Sequence, residues 1–106
     1  MSLDPSTVAP LDRLVPDAPG AVTSGLLLKS PGGSATLFAI AAGEGLGEHA
    51  TPHEALFTVL GGEAEVVLEG ASHTVRAGDA VHFPARARHS VRALSDLRFL
   101  LVLLRA

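Results

Sequence analysis

The amino-acid sequence predicts an all-β, single-domain protein, and three observations carry that prediction. Short apolar runs follow one another closely, glycine and proline break them, and no segment keeps apolar residues at helical spacing with a cap at each end. About eight short strands punctuated in this way make a sandwich or a barrel. A chain of 106 residues has room for one domain, and at that length one core buries enough apolar surface to fold without staples.

The elements follow in order. Residues 1–20 hold Pro5, Pro10, Pro16, Pro19 and Gly20. Proline removes amide donors and fixes φ, so this stretch is expected to be an extended or turn-rich arm, leaving 21–106 as the barrel domain. Val22 to Lys29 is apolar and stops at the turn Ser30-Pro31-Gly32-Gly33. Thr36 to Ile40 is a second run, followed by Gly43-Glu44-Gly45-Leu46-Gly47, which reads as a flexible loop at a pocket edge. Ala55 to Leu60 breaks at Gly61-Gly62, a dipeptide suited to a tight hairpin with Glu63 to Glu69 as its partner. Ser72 to Arg76, Ala80 to Phe83, His89 to Leu94 and Leu97 to Leu104 complete the strands. The interior is expected to take Phe38, Ile40, Val59, Phe83, Val91, Phe99 and one of Leu56 or Phe57.

Composition excludes several function classes. With no cysteine, disulfides, zinc–thiolate sites and thiol nucleophiles are closed to the chain. With no tyrosine, so is any mechanism that needs a phenolic proton donor. The net charge is −3, Lys29 is the only lysine, and Arg86, Arg88, Arg92 and Arg98 group only loosely. That is too thin a basic stripe for nucleic acid. Met1-Ser2-Leu3-Asp4-Pro5 lacks the basic start of a secretory signal, and no apolar run approaches the roughly 20 residues that span a bilayer. The expectation is a soluble, cytoplasmic protein with no membrane partner. No Gly-x-Ser-x-Gly elbow and no phosphate-cradling glycine loop followed by lysine is present.

Three histidines carry the chemistry that remains. His49 and His53 lie in Gly47-Glu48-His49-Ala50-Thr51-Pro52-His53-Glu54, and His89 follows Gly78-Asp79 and Pro84 in the second block. Neutral imidazole is the commonest protein metal ligand. His49, His53 and His89 would form a three-nitrogen face with open positions, suited to Zn, Fe, Ni or Cu rather than to Mg or Ca. The bland reading gives each a local role: hydrogen-bonding a loop carbonyl for His49, exposure beside Glu54 for His53, rim packing for His89. His73 is expected to be exposed. His82 alternates with Val81 and Phe83, so it faces away from them; it, Glu48 and Glu54 are candidate orienting partners for the histidines.

The two blocks resemble the paired motifs of the cupin superfamily, in particular the small RmlC-like single-domain cupins, over roughly residues 22–104. Gly78-Asp79, Pro84 and His89 match the second motif. In the first, His49 matches the first histidine, whereas Thr51 and Ala55 stand where the family places a histidine and a glutamate. His53 stands two residues before Ala55, and regular strand alternation would bring it to the same face, with Pro52 beside it as a possible break. The resemblance implies a double-stranded β-helix, or jelly-roll barrel, that binds a small organic molecule. A divalent transition metal on His49, His53 and His89 would give it oxygenase- or isomerase-like chemistry. The alternative is a non-enzymatic binding or sensing module that has lost the metal. Catalytic residues stay unassigned. The resemblance also implies a homodimer, for which the arm and the apolar last strand, Phe99 to Leu104, offer material; a bare apolar edge strand would otherwise invite aggregation. Arg86 and Arg88, on the turn before His89, are either solvated or poised to meet an anionic ligand.

Overall fold

The computed structural model describes residues 3–11, 14 and 21–105. Among them it places nine strands and no α-helix: β1 (Val22–Ser30), β2 (Gly33–Ile40), β3 (Gly45–His49), β4 (Glu54–Gly61), β5 (Glu63–Leu68), β6 (Ala71–Arg76), β7 (Ala80–Phe83), β8 (His89–Ala93) and β9 (Leu97–Leu104). They form a five-stranded sheet in the order β1-β2-β9-β4-β7 and a four-stranded sheet in the order β3-β8-β5-β6. Every pairing is antiparallel. Two such sheets facing each other are the double-stranded β-helix that the sequence leads one to expect.

Strand alternation explains the core. In β4, Ala55, Phe57 and Val59 are buried, while Leu56 and Leu60 are exposed. In β8, His89, Val91 and Ala93 are buried. These inward residues meet Ile40, Ala64, Val66, Phe83, Leu97 and Phe99 between the sheets. Of the Leu56 and Phe57 alternatives, Phe57 is the one inside. No helix in the described residues is long and apolar enough to cross a membrane.

Three local expectations change. Gly61-Gly62 is not a hairpin: β4 and β5 belong to different sheets, so the dipeptide is the corner at which the chain crosses between them. Gly62 has φ +83, and a Cβ there would overlap the Asp96 carbonyl oxygen, so only glycine fits. The segment expected to be a flexible loop supplies β3, because Gly45 and Leu46 pair with Arg92 and Val91 across the sheet. The last strand is no edge. β9 lies between β2 and β4, and both of its hydrogen-bonding sides are taken.

The outer face of the five-stranded sheet is also apolar. Leu14 and Ala9 of the arm pack there against Leu27, Leu37, Ala39 and Leu100. The Leu3 amide donates to the Leu27 carbonyl at 3.1 Å. Pro16, Pro19 and Gly20 lie outside the described residues.

Candidate functional site at the barrel mouth

Cross-strand pairing brings the first and last histidines of the motif together. His49 ends β3, His89 starts β8, and the two are direct partners in the ladder. Their rings meet edge to face with centroids 4.2 Å apart. Each Nδ1 donates to a carbonyl two residues back: His49 to Gly47 at 2.8 Å, and His89 to Ala87 at 3.0 Å. A carbonyl oxygen only accepts, so Nδ1 carries the proton, and in the neutral ring Nε2 keeps its lone pair. Outer partners of this kind fix the tautomer of a ligand-binding imidazole.

His89 is buried, whereas His49 is exposed. Desolvation pushes the His89 pKa below its ordinary value; the Ala87 carbonyl opposes this, and His49 adds a smaller push downward. His89 is therefore neutral at pH 7. Its ring also lies flat on Phe83, 4.2 Å between centroids and 9° from parallel. Phe83 contacts Phe57, Phe57 contacts Phe99, and Phe99 stacks on Phe38. All four phenylalanines of the chain thus form one column of rings that ends in the two imidazoles. These phenyl rings belong to the apolar core between the sheets, together with Ile40, Val59, Val66 and Leu97.

His53 does not join them. β4 begins at Glu54, and residues 52–53 form a bend, so the alternation that would align His53 with Ala55 stops one residue short. Thr51 closes that bend: its hydroxyl accepts from the His53 amide at 3.0 Å and donates to the His53 carbonyl at 3.2 Å. The His53 Nδ1 is buried without a hydrogen-bond partner. Ala55 pairs with Phe83 on the inward face, so a methyl group occupies the place from which a carboxylate would reach the site. Among the described residues, no three His, Cys, Asp or Glu side chains gather closely enough to hold a metal ion. A transition-metal site normally draws on three protein ligands or more. Among the described residues, this arrangement brings two imidazoles together, one short of that number.

The acids act on the loops and on His82 rather than on His49 and His89. Glu54 accepts from the Ala85 amide and from His82 Nε2, both at 2.6 Å. Those two contacts, the amide first, hold its carboxyl below the usual range. Glu48 pairs with Arg88 at 3.5 Å. The Arg86 amide donates to the Thr51 carbonyl at 2.6 Å, with Arg86 at φ +67. The 47–54 and 84–88 segments are therefore laced together, and they position His49 and His89. His73 is exposed, and His82 faces outward as its alternation requires. The role of Phe83 as the floor under His89 was not read from the sequence. The adjacent alternation of His82 and Phe83 is the signal that would have pointed to it.

The cupin-domain family matches residues 36–103, well over half of the chain. The chain belongs to the cupin family. This cupin is similar to a conserved protein of unknown function from Streptococcus pyogenes, at 25% identity and TM-score 0.90, covering 98% of this chain and 91% of that one. A cupin 2 conserved barrel domain protein from Leptotrichia buccalis is 30% identical with TM-score 0.82; the match covers 86% of this cupin and 44% of that chain. A putative mannose-6-phosphate isomerase from Ralstonia eutropha shares the fold at 24% identity and TM-score 0.82, covering 94% and 99% of the two chains. No curated protein matches.

Proposed function

We propose that this cupin binds a small organic molecule at the mouth of its barrel, with Nε2 of His49 and of His89 as the polar anchors. One observation carries the reading: two imidazoles in contact at 4.2 Å, each with Nδ1 committed to a backbone carbonyl. With Nδ1 carrying the proton, a neutral imidazole accepts a hydrogen bond at Nε2 from ligand O–H or N–H groups. The buried Phe83 ring backs the His89 imidazole from the core side and holds it in place. On this reading the protein is a binding or sensing module that works without a metal.

The test is a fragment screen followed by the ring resonances of His49 and His89 in NMR. Small hydroxylated or amide-bearing fragments should shift both rings, and His49→Ala should abolish the shifts. Fragments that bind without moving either ring would refute the reading.

The buried, unpartnered Nδ1 of His53 favours a second reading. In it His53 joins His49 and His89 on Zn, Fe, Ni or Cu after the 50–53 bend rearranges, and the protein is an enzyme. That reading requires metal in the purified protein, and added Ni, Fe or Zn must raise the melting temperature in wild type but not in His53→Ala. No metal and no thermal response would end it.

A further inference from the structure

The turn that leads into His89 carries an arginine in a place that suits glycine. The Ala87 amide donates to the Pro84 carbonyl at 3.1 Å and closes a four-residue turn over 84–87. Arg86 is its third residue, with φ +67, while the other three keep φ negative. Glycine or asparagine is favoured at that position, because a Cβ there crowds the backbone. The surroundings hold the conformation all the same. The Arg86 amide donates to the Thr51 carbonyl at 2.6 Å, and the Ala85 amide before it donates to Glu54, also at 2.6 Å. Strain held in this way clusters at ligand-binding positions.

The charge of Arg86 is left over. Arg88, two residues on, pairs with Glu48 at 3.5 Å. Glu54 is taken by the Ala85 amide and His82, and Glu69 accepts from the Arg88 amide at 3.0 Å. Arg86 is exposed, and among the described residues no acid lies against its guanidinium.

Two complementary kinds of group therefore stand close together. Ala87, next to Arg86, accepts from His89 Nδ1. His89 is three residues from Arg86, at most about 11 Å between Cα atoms. Nε2 of His49 and of His89 accepts hydrogen bonds and would repel a carboxylate oxygen, whereas a guanidinium only donates. Building on the binding reading above, we propose that the ligand of the mouth is a small hydroxycarboxylate. Its carboxylate takes two N–H groups of Arg86, and its hydroxyl donates to Nε2 of the histidine pair. One uncompensated guanidinium matches one negative charge. A phosphate dianion calls for a second cation, which Arg88 does not supply while it holds Glu48.

The test titrates the protein with three three-carbon probes, glycerate, glycerol and glycerol 3-phosphate. NMR follows the His49 and His89 rings and the Arg86 Nε–H. Glycerate should shift all three signals and bind about ten-fold more tightly than either other probe, the worth of one charge-assisted hydrogen bond. Arg86→Gln should cut glycerate affinity by about the same factor and leave the weaker response to glycerol unchanged. Arg86→Gly, which relaxes the turn, should lose glycerate equally while melting at a higher temperature, so the loss is not one of fold. Arg76→Gln, which removes the same charge from β6 of the other sheet, should bind glycerate like wild type. Equal ring shifts with glycerate and glycerol, or wild-type glycerate affinity in Arg86→Gln, would overturn the proposal and leave the binding reading intact. Tighter binding of glycerol 3-phosphate would overturn the choice of a carboxylate. Glycerate that shifts Arg86 without the rings would overturn both readings. Glycerate that moves none of the three signals at about 100 mM, on the order of a hundredfold above a millimolar Kd, would overturn the proposal as well.

Discussion

The imidazole of His89 lies on the phenyl ring of Phe83, 9° from parallel and 4.2 Å between centroids. The contact joins the apolar core to the polar mouth and sets how both respond to acid and to truncation.

Acid should act first through His89. Its folded-state pKa lies below the unfolded value of about 6.5, so the unfolded chain takes up the proton first. Stability is complete above pH 6.5 and falls as pH drops from there towards the folded pKa. Glu54, whose carboxyl is held below its ordinary 4.5, adds a second loss below that value. Thermal melts across pH 4–8 should show two successive declines, and His89→Phe should remove the upper one.

Truncating the floor should cost more than truncating the ring above it. Phe83→Ala removes a buried side chain that touches Phe57 and His89, and losses of this kind run to about 3–5 kcal/mol. Urea unfolding reads the change. The His89 resonances should titrate closer to 6.5 in this variant, because water reaches the imidazole.

Glu54 should matter to the mouth more than to the core. Glu54→Ala leaves the Ala85 amide without its carboxylate, and hydrogen exchange at Ala85 should accelerate while the β9 amides stay protected. Glu54→Gln, which keeps an acceptor, should fall between the two. Equal exchange at Ala85 in all three proteins would refute the role.

Arg86 holds φ +67 on the turn before His89, a conformation that costs an L-residue about 1–2 kcal/mol. Arg86→Gly should raise stability by about 0.5–1 kcal/mol after glycine's own entropy is set against that relief. Arg86→Val, branched at Cβ, should lower it. Gly62→Ala is the opposite case: positive φ and overlap with the Asp96 carbonyl should together cost about 2–4 kcal/mol. Chemical denaturation of the three variants gives the order directly.

What the sequence determined by itself is the local part of this protein. Alternation with period two marks β4, β7 and β8 and sets His82 opposite Phe83, and follows from strand geometry alone. It left Leu56 and Phe57 as alternatives for the interior, which the sheet packing decided for Phe57. The absence of helical spacing and the motif around Gly78, Pro84 and His89 sufficed for the fold. Tertiary structure decided the contacts between segments distant along the chain. Ala85 binds Glu54, β9 runs between β2 and β4, and Gly61-Gly62 turns a corner and not a hairpin, because two glycines serve either turn and only the sheet partners distinguish them. It also decided how the histidines group. His49 and His89 meet because β3 and β8 pair. His53 stands apart because alternation holds only within a strand, and β4 begins one residue after it.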